Sequence, residues 1–196
     1  MKELNNIYWQ ERYTNNQTGW DIGYVSTPIK EYIDQLENTD LKILIPGAGN
    51  AHEASYFLSK GFHNVHILDF ARLPLQLFKE ANPDFPEVQL HQEDFFKHHQ
   101  TYNLIIEQTF FCALSPNLRE KYATHLAACL QPKGKVAGVL FDFELTPNGP
   151  PFGGSLREYQ QLFSPLFHIH VLERCYNSIK PRAGNELFFI FEKKSL

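Results

Sequence analysis

The residues best placed for chemistry lie between positions 41 and 70, where two glycines and an aspartate follow apolar runs. Gly47 and Gly49 come directly after the first run, and Asp69 ends the second run about twenty residues later. A glycine lets a ligand approach the backbone because it has no Cβ atom, and a carboxylate offers two acceptor oxygens to vicinal ribose hydroxyls. The spacing predicts a strand, a glycine loop, a helix and a second strand that bind a nucleoside cofactor.

His52 distinguishes between two classes of cofactor. It stands where the dinucleotide-binding fingerprint has its third glycine, and that fingerprint holds a pyrophosphate at the helix N-terminus. The missing glycine disfavours NAD and favours S-adenosylmethionine, which carries no phosphate. The alternative is a glycine turn that merely closes an ordinary βαβ unit.

The stretches around this unit alternate between apolar runs and helical periodicity, which is typical of an α/β fold. Two C-terminal runs, His168–Ile179 and Glu186–Glu192, are joined by a connection too short for a crossover helix. We therefore predict a doubly wound, seven-stranded, mostly parallel Rossmann-like sheet that ends in an antiparallel hairpin. The five runs predicted as buried parallel strands are Lys42–Ile45, Val65–Leu68, Val88–His91, Leu104–Glu107 and Val136–Phe141.

Proline and glycine mark the boundaries of two predicted helices. The stretch Thr27–Glu37 has an apolar stripe and a proline in its first turn, which predicts a helix before the first strand. Ser115 and Pro116 open a second helix that leads to Leu130, and the Pro-Lys-Gly step at 132–134 ends it.

The region after the fifth strand contains a loop and a short helix. Ser155 and Glu158 form a capping box that predicts a helix over Leu156–Phe163. The preceding stretch, Thr146–Gly154, is rich in proline and glycine. A loop at the C-terminal edge of a parallel sheet lies where ligands bind, so this stretch is expected to border the site.

Composition limits the class of protein. A chain of 196 residues with 43% hydrophobic residues is long enough for one α/β domain, which we place at residues 1–196. The net charge of −4 provides no basic stripe for nucleic acid, and no apolar run is long enough to span a membrane. The widely spaced Cys112, Cys129 and Cys175 fit a reducing compartment. We expect a cytoplasmic monomer that acts on a small molecule.

Several short motifs, in order along nearly the whole chain, resemble one family. The chain resembles the thiopurine S-methyltransferase family of class I S-adenosylmethionine-dependent methyltransferases, and most of all its plant halide/thiol methyltransferase branch. The matching segments are WQERY (9–13), TGWDIG (18–23), IPGAG (45–49), ILD (67–69), EDFF (93–96), FFCALSP (110–116) and GPPF (149–152).

The resemblance implies a role for each residue that matches a family motif. Residues 1–25 would form an aromatic lid, and Gly47 and Gly49 would line the methionine portion of the cofactor. Two positions depart from the family pattern, Ala48 and Gln108, and these leave the identity of the acceptor open. The cofactor-binding residues implied are Trp9, Tyr13 and Trp20 in the lid, Asp69 at the ribose, Asp94 with Phe95 at the adenine, and Gln108 after strand four.

The residue types at these positions suit methyl transfer from a sulfonium. Aromatic faces attract a cation by about 0.5–2 kcal/mol, which suits the lid aromatics. The alternative is that these rings pin the N-terminal segment to the core, but the clustering of both tryptophans in a polar segment favours the lid. In-line displacement needs alignment and exclusion of water rather than an acid-base pair. Phe110, Phe111 and Phe152 are predicted to form an apolar acceptor pocket. No residue is assigned as catalytic, and His52 is the nearest candidate for a base.

Two other functions are disfavoured by the residues present. An amino-methylating enzyme would need an Asp/Asn/Ser-Pro-Pro-aromatic turn after strand four, where this chain has Glu-Gln-Thr-Phe at 107–110. Cys112 is better explained as a buried thiol than as a nucleophile. The histidine pairs 63/66, 98/99 and 168/170 lack flanking ligands, so no metal is predicted.

The expected function is S-adenosylmethionine-dependent methylation of a small thiol, with halide or hydrosulfide ions as further acceptors. One alternative keeps the cofactor and changes the acceptor to a small oxygen, nitrogen or metalloid nucleophile. A second alternative is a cofactor-binding domain without turnover.

Overall fold

A seven-stranded sheet forms the centre of the molecule in a computed structural model that describes residues 4–195. The strands lie in the order β3-β2-β1-β4-β5-β7-β6, and their bounds are β1 Ile43–Pro46, β2 Val65–Asp69, β3 Leu90–Gln92, β4 Tyr102–Gln108, β5 Leu130–Phe141, β6 Phe167–Arg174 and β7 Glu186–Lys193. Strands β1 to β5 are parallel, and β7 lies antiparallel to both β5 and β6. The predicted fold class is confirmed.

The strand order creates a crevice at one edge of the sheet. The first strand along the chain is β1; β2 and β3 follow outward on one side of it, and β4 lies on its other side. The direction in which successive strands are added to the sheet therefore reverses between β1 and β4. Ligands of open α/β sheets bind outside the carboxyl ends of the strands at such a switch point.

Helices cover both faces of the sheet and create two apolar cores. Along β1, Ile43 and Ile45 face the core under α2, α3 and α4, whereas Leu44 faces the core under α5 and α6. This alternation is the period-two pattern of a strand that is buried on both faces. The helix bounds are α1 Asn6–Thr14, α2 Thr27–Ile33, α3 His52–Ser59, α4 Arg72–Ala81, α5 Arg119–Ala128 and α6 Leu156–Phe163.

The predicted single domain, 1–196, and the predicted lid, 1–25, both extend beyond the described part of the chain. Residues 1–3 and 196 lie outside it. Within residues 4–195, none of the helices combines the length and the apolar character that crossing a membrane requires.

Two of the predicted helices end earlier than expected. The helix predicted over Thr27–Glu37 ends at Ile33, because the next residues make i→i−3 hydrogen bonds that tighten the chain into a turn. The helix predicted from Pro116 to Leu130 begins as a 3₁₀ turn at 116–118, continues as α5, and ends at Ala128. The capping box at the start of α6 is confirmed, since the Glu158 amide donates to Ser155 Oγ.

The boundaries of two parallel strands also differ from the prediction. The third strand, predicted over Val88–His91, is Leu90–Gln92, because residues 87–89 form a 3₁₀ turn after Pro86 that leaves Val88 exposed. The fifth strand, predicted from Val136, already begins at Leu130. Its Pro-Lys-Gly step, 132–134, lies within the strand as an irregularity in the pairing with β4 rather than before it.

The first strand of the C-terminal hairpin is shorter than predicted. It was expected to reach Ile179, but β6 ends at Arg174. The Cys175 amide still donates to the Glu186 carbonyl, where β7 begins. Residues 176–185 have no further strand to pair with and form the connection, which includes a 3₁₀ turn over Lys180–Arg182.

A candidate cofactor and acceptor site at the switch point

A cavity of about 1060 Å³ opens at the carboxyl ends of β1 and β4. Its walls come from seven parts of the chain: the N-terminal segment, the glycine loop after β1 with the start of α3, the end of β2, the turn after β4, Phe141 at the end of β5, the proline-glycine loop 146–154, and Arg182 between β6 and β7. Pockets for small ligands measure roughly 300–1,000 Å³, so this volume accommodates a nucleoside cofactor together with a small second molecule.

The glycine loop requires glycine at two positions because side chains crowd its surface. Gly47 and Gly49 both have positive φ angles, of 60° and 52°. A Cβ atom at Gly47 would collide with the ring of Phe110, and one at Gly49 would lie 2.6 Å from the Tyr13 hydroxyl. The loop therefore keeps its backbone open toward the cavity, as the sequence predicts for a ligand cradle.

Asp69 lies at the end of β2 with its carboxylate held against the backbone. Its Oδ2 accepts from the Gly49 amide at 3.0 Å, and its Oδ1 accepts from the Ala71 amide at 2.8 Å. Burial raises the pKa of Asp69 to about 6, although these backbone hydrogen bonds oppose the rise. Each oxygen retains a lone pair, so the carboxylate can also accept hydrogen bonds from a ligand that enters the cavity.

The three lid aromatics predicted from sequence all line the cavity. The rings of Trp9 and Trp20 meet edge to face at 5.3 Å, and those of Tyr13 and Trp20 meet at 5.8 Å. Burial raises the pKa of Tyr13 well above its usual value, and the Asp69 carboxylate adds to the rise, so its hydroxyl remains protonated above the glycine loop. The structure therefore brings the aromatic cluster, Gly49 and Asp69 together.

Polar contacts hold the N-terminal segment to the rest of the domain. The Gln10 side chain accepts from the Arg72 amide at 2.8 Å, which supplies the N-terminal cap that α4 otherwise lacks. The Asp21 carboxylate is 2.7 Å from His52 Nε2 and also accepts from the Gly23 amide.

Two further contacts belong to this anchorage. The Asn50 side chain donates to Asp21. Burial alone would raise the pKa of Asp21, but the hydrogen bonds from Gly23, Asn50 and His52 lower it below the usual value. His52, the candidate base, is thus engaged with a carboxylate of the N-terminal segment. Sequence reasoning missed Gln10, and no sequence signal pairs it with α4.

The turn after β4 is organised by Gln108 and Glu107. The hydroxyl of buried Ser26 donates to Gln108 Oε1 at 2.9 Å, and no partner of the Gln108 amide nitrogen occurs within residues 4–195. Glu107 Oε1 accepts from the amides of Phe110 and Phe111, and its Oε2 accepts from Tyr122. Burial raises the pKa of Glu107 to about 7. Glu107 does not line the cavity but positions the turn that does.

Two of the three phenylalanines predicted for the acceptor pocket line the cavity. Phe110 and Phe152 do so, and the amide of Phe152 donates to the Cys112 carbonyl at 2.8 Å, which joins the proline-glycine loop to the β4 turn. Phe111 does not line it, because its ring packs in the core, with its centroid 5.1 Å from that of the Tyr122 ring. Cys112 is buried, and burial raises the pKa of its thiol strongly, which agrees with the prediction of a buried thiol rather than a nucleophile.

The two residues expected at the adenine lie outside the cavity lining. Asp94 caps the 3₁₀ turn 95–97 by accepting from the Phe96 amide at 3.0 Å. The Phe95 ring packs in the core at 5.3 Å from Phe110. Contact of these two residues with a cofactor remains a prediction from the resemblance.

Arg182 is a cavity residue that sequence reasoning missed. Its guanidinium is largely buried, with Nη2 donating to the Trp20 carbonyl at 2.8 Å. Nη1 is buried and makes no hydrogen bond within the described residues, and Glu186 Oε1 lies 3.7 Å away from it. A buried donor without a hydrogen bond costs about 1–3 kcal/mol.

Comparison with known proteins decides the family. The family model described as thiopurine S-methyltransferase matches residues 4–194. The chain belongs to the thiopurine S-methyltransferase family. It is a class I methyltransferase that depends on S-adenosylmethionine.

Named relatives and a solved structure agree in length and fold with this family member. It is 25% identical to the probable thiol methyltransferase 2 of Arabidopsis thaliana, over 100% of this chain and 88% of that protein. It is 24% identical to thiocyanate methyltransferase 1 of Brassica oleracea, over 91% of this chain and 81% of that protein. The solved structure of the 1,6-didemethyltoxoflavin-N1-methyltransferase of Burkholderia thailandensis has the same fold, with a TM-score of 0.77 and 16% sequence identity. The match covers 98% of this chain and 88% of that one.

The cavity of this methyltransferase fits S-adenosylmethionine. The glycine cradle that a Cβ atom would fill, the buried Asp69 carboxylate and the aromatic rings of Trp9, Tyr13 and Trp20 all line it. Together they match a ribose, a polar amino-acid portion and a sulfonium cation. When bound, the cofactor supplies an electrophilic methyl group. The chain contributes orientation, exclusion of water and the electrostatic surroundings of the acceptor.

Proposed function

We propose that this methyltransferase transfers the methyl group to a small thiol bound as its thiolate. The observation that carries the proposal is the position of Arg182 in the cavity wall: its Nη1 makes no hydrogen bond within the described residues, and Glu186 Oε1 lies 3.7 Å away. An anionic sulfur that approaches the guanidinium would supply a closer acceptor. Phe110 and Phe152 contribute apolar wall to the same cavity, and stripping water from a soft anion increases its reactivity.

In this proposal Arg182 would receive the negative charge of the thiolate. The nearest carboxyl to its Nη1 is that of buried Glu186, at 3.7 Å, and burial raises the pKa of Glu186 above its usual value. The Trp20 carbonyl holds the other end of the guanidinium in place. The chain therefore stabilises the bound thiolate and orients it without removing its proton.

Halide, thiocyanate and hydrosulfide ions belong to the same proposal because they are small soft anions. The relatives named as thiol and thiocyanate methyltransferases support acceptors of this kind. A different small nucleophile, with oxygen, nitrogen or a metalloid as the reacting atom, is the second candidate. The departure from the family pattern at Gln108 keeps that candidate open.

The cofactor contacts form part of the proposal. Asp69 would accept from the ribose hydroxyls, Gly47 and Gly49 would admit the methionine portion, and Trp9, Tyr13 and Trp20 would close over the sulfonium. Gln108 would face the cofactor at the end of β4. The buried, unpaired cysteines at 112, 129 and 175 support a reducing, cytoplasmic setting, and a monomeric state remains a prediction.

An acceptor panel with labelled S-adenosylmethionine tests the proposal. Small thiols, iodide, thiocyanate and hydrosulfide are compared with phenols, amines and arsenite at equal concentration. Turnover of thiols and soft anions alone is the expected result. Preferred turnover of an oxygen, nitrogen or metalloid acceptor would replace the proposal with the second candidate.

The Arg182→Met variant tests the anion site directly. Loss of a charged hydrogen bond to the thiolate should lower kcat/KM by about 10- to 150-fold, since such bonds contribute roughly 1.5–3 kcal/mol. Affinity for S-adenosylhomocysteine should change much less. Arg157→Met, at an exposed position on α6, is the matched control. Equal losses for thiolate and for neutral acceptors would contradict the role of Arg182.

A further inference from the structure

A second group of polar side chains lies at the β3 edge of the sheet, outside the cavity. His91 in β3, Glu93 just after it and His98 beyond the next turn each offer one ligand atom, and these atoms all lie within 4.8 Å of one another. None of the three lines the cavity. The cluster therefore requires an explanation separate from methyl transfer.

A chain of hydrogen bonds determines which nitrogen of His91 carries the proton. The Asn64 side-chain oxygen is 3.1 Å from His66 Nε2, which must donate to it. His66 Nδ1 is then an acceptor, and His91 Nε2, at 2.9 Å, must donate to it. A neutral His91 consequently keeps a lone pair on Nδ1. That atom lies 3.9 Å from Glu93 Oε1.

His98 is held in a similar way on the other side of Glu93. Its Nδ1 is 2.7 Å from Glu93 Oε1, and its Nε2 is 2.7 Å from the Tyr102 hydroxyl. A hydroxyl both donates and accepts, so Tyr102 fits either tautomer of the ring. His98 can therefore release the proton on Nδ1 and present a lone pair to the cluster.

Two acceptors, His91 Nδ1 and Glu93 Oε1, thus face each other, with a potential third at His98 Nδ1. We propose that His91, Glu93 and His98 bind a divalent transition-metal ion, with Zn²⁺ as the best match. Ligands about 2.1 Å from a tetrahedral ion lie about 3.4 Å apart, and Glu93 Oε1 lies 2.7 Å from His98 Nδ1 and 3.9 Å from His91 Nδ1, on either side of that value. Imidazole and carboxylate ligands suit Zn²⁺.

The surroundings resemble those of a metal site in two respects. Each imidazole has its second nitrogen held by another side chain, His66 or Tyr102, as metal-ligating histidines usually do. The side chain of Glu93 is 39% exposed, whereas that of His98 is 2% exposed, so the site opens to solvent on the carboxylate side. Water would complete the coordination there. The ion would join β3 to the segment that leads into β4.

Zn²⁺ binding to the full chain tests this site. After chelator treatment and dialysis, wild-type protein is titrated with ZnCl₂ by calorimetry and examined by ¹H–¹⁵N imidazole NMR. We expect one Zn²⁺ per chain, with large Nδ1 shifts at His91 and His98 and none at the exposed His168 in β6. The cobalt form should show the visible absorption of a four-coordinate ion.

Glu93→Gln is the decisive variant because glutamine retains an acceptor for His98. It should fold like the wild type and bind Zn²⁺ at least about tenfold more weakly, with His168→Ala as the control. Equal Zn²⁺ affinity in Glu93→Gln and wild type, or shifts at other histidines, would overturn the proposal. Absence of Zn²⁺ binding to the wild type would also overturn it.

Discussion

Replacing Asp69 with asparagine should weaken cofactor binding and remove its pH dependence between pH 5 and 7. In the structure both Asp69 oxygens accept backbone amides, from Gly49 and Ala71, and the remaining lone pairs are available to ribose hydroxyls. Asparagine has one acceptor oxygen and no charge. Loss of charged hydrogen bonds of roughly 1.5–3 kcal/mol corresponds to a Kd about 10- to 150-fold higher at neutral pH.

The pH dependence follows from the pKa of Asp69, which burial raises to about 6. The ribose hydroxyls are donors and bind the ionised carboxylate. Affinity should therefore be constant well above pH 6 and decrease as the pH falls through 6. At pH 5 roughly nine-tenths of the free enzyme carries the proton, so Kd should be about tenfold higher than at pH 7.

Calorimetric titration with S-adenosylhomocysteine from pH 5 to 8 provides the measurement. Wild type, Asp69→Asn and the control Asp84→Asn, an exposed aspartate, are compared after thermal unfolding shows that each is folded. The control should follow the wild type. The reasoning is refuted if folded Asp69→Asn binds with wild-type affinity at pH 7, or if it retains the decrease in affinity below pH 6.

Three further predictions concern the lid, the proton and the core. Trp20→Ala should raise the Kd of the cofactor and increase protease cleavage within residues 4–25; equal cleavage of wild type with and without cofactor would contradict a closing lid. For two thiols of well-separated pKa, kcat/KM should follow each thiolate fraction; one shared inflection, abolished by His52→Ala, would assign a base to the enzyme. Burial raises the pKa of Glu107 to about 7, above its unfolded value, so its contribution to stability is lost as pH rises from about 4 to 7. The free energy of unfolding of wild type relative to Glu107→Gln should decrease by about 1.4 kcal/mol per pH unit between 5 and 7, and a constant difference in urea unfolding would disprove it.

The cofactor half of the site was predictable because its signals are local in the sequence. Gly47, Gly49 and Asp69 follow strands whose apolar runs are visible directly, and parallel strands place their carboxyl ends at the same edge of the sheet. The family resemblance and the fold class are confirmed. Strand ends were less predictable, since pairing partners rather than propensity decide where β5 begins and β6 ends.

The acceptor half of the site and the histidine cluster depend on contacts between distant residues. Arg182 meets the Trp20 carbonyl across 162 positions, and Gln10 caps α4 across 62. No periodicity or spacing connects such pairs, because packing of separate elements brings them together. Phe110 and Phe111 are neighbours of the same type whose amides both donate to Glu107 Oε1, yet only the Phe110 ring lines the cavity.

The sequence by itself therefore determined the fold class, the glycine loop after β1 and the position of Asp69 at the end of β2, because strand periodicity and loop spacing encode them locally. Only the tertiary structure decided which aromatic rings face the cavity, that a buried guanidinium lies in its wall, and that His91, Glu93 and His98 converge. These features depend on side-chain direction and on the docking of elements, which arise when the whole chain is packed.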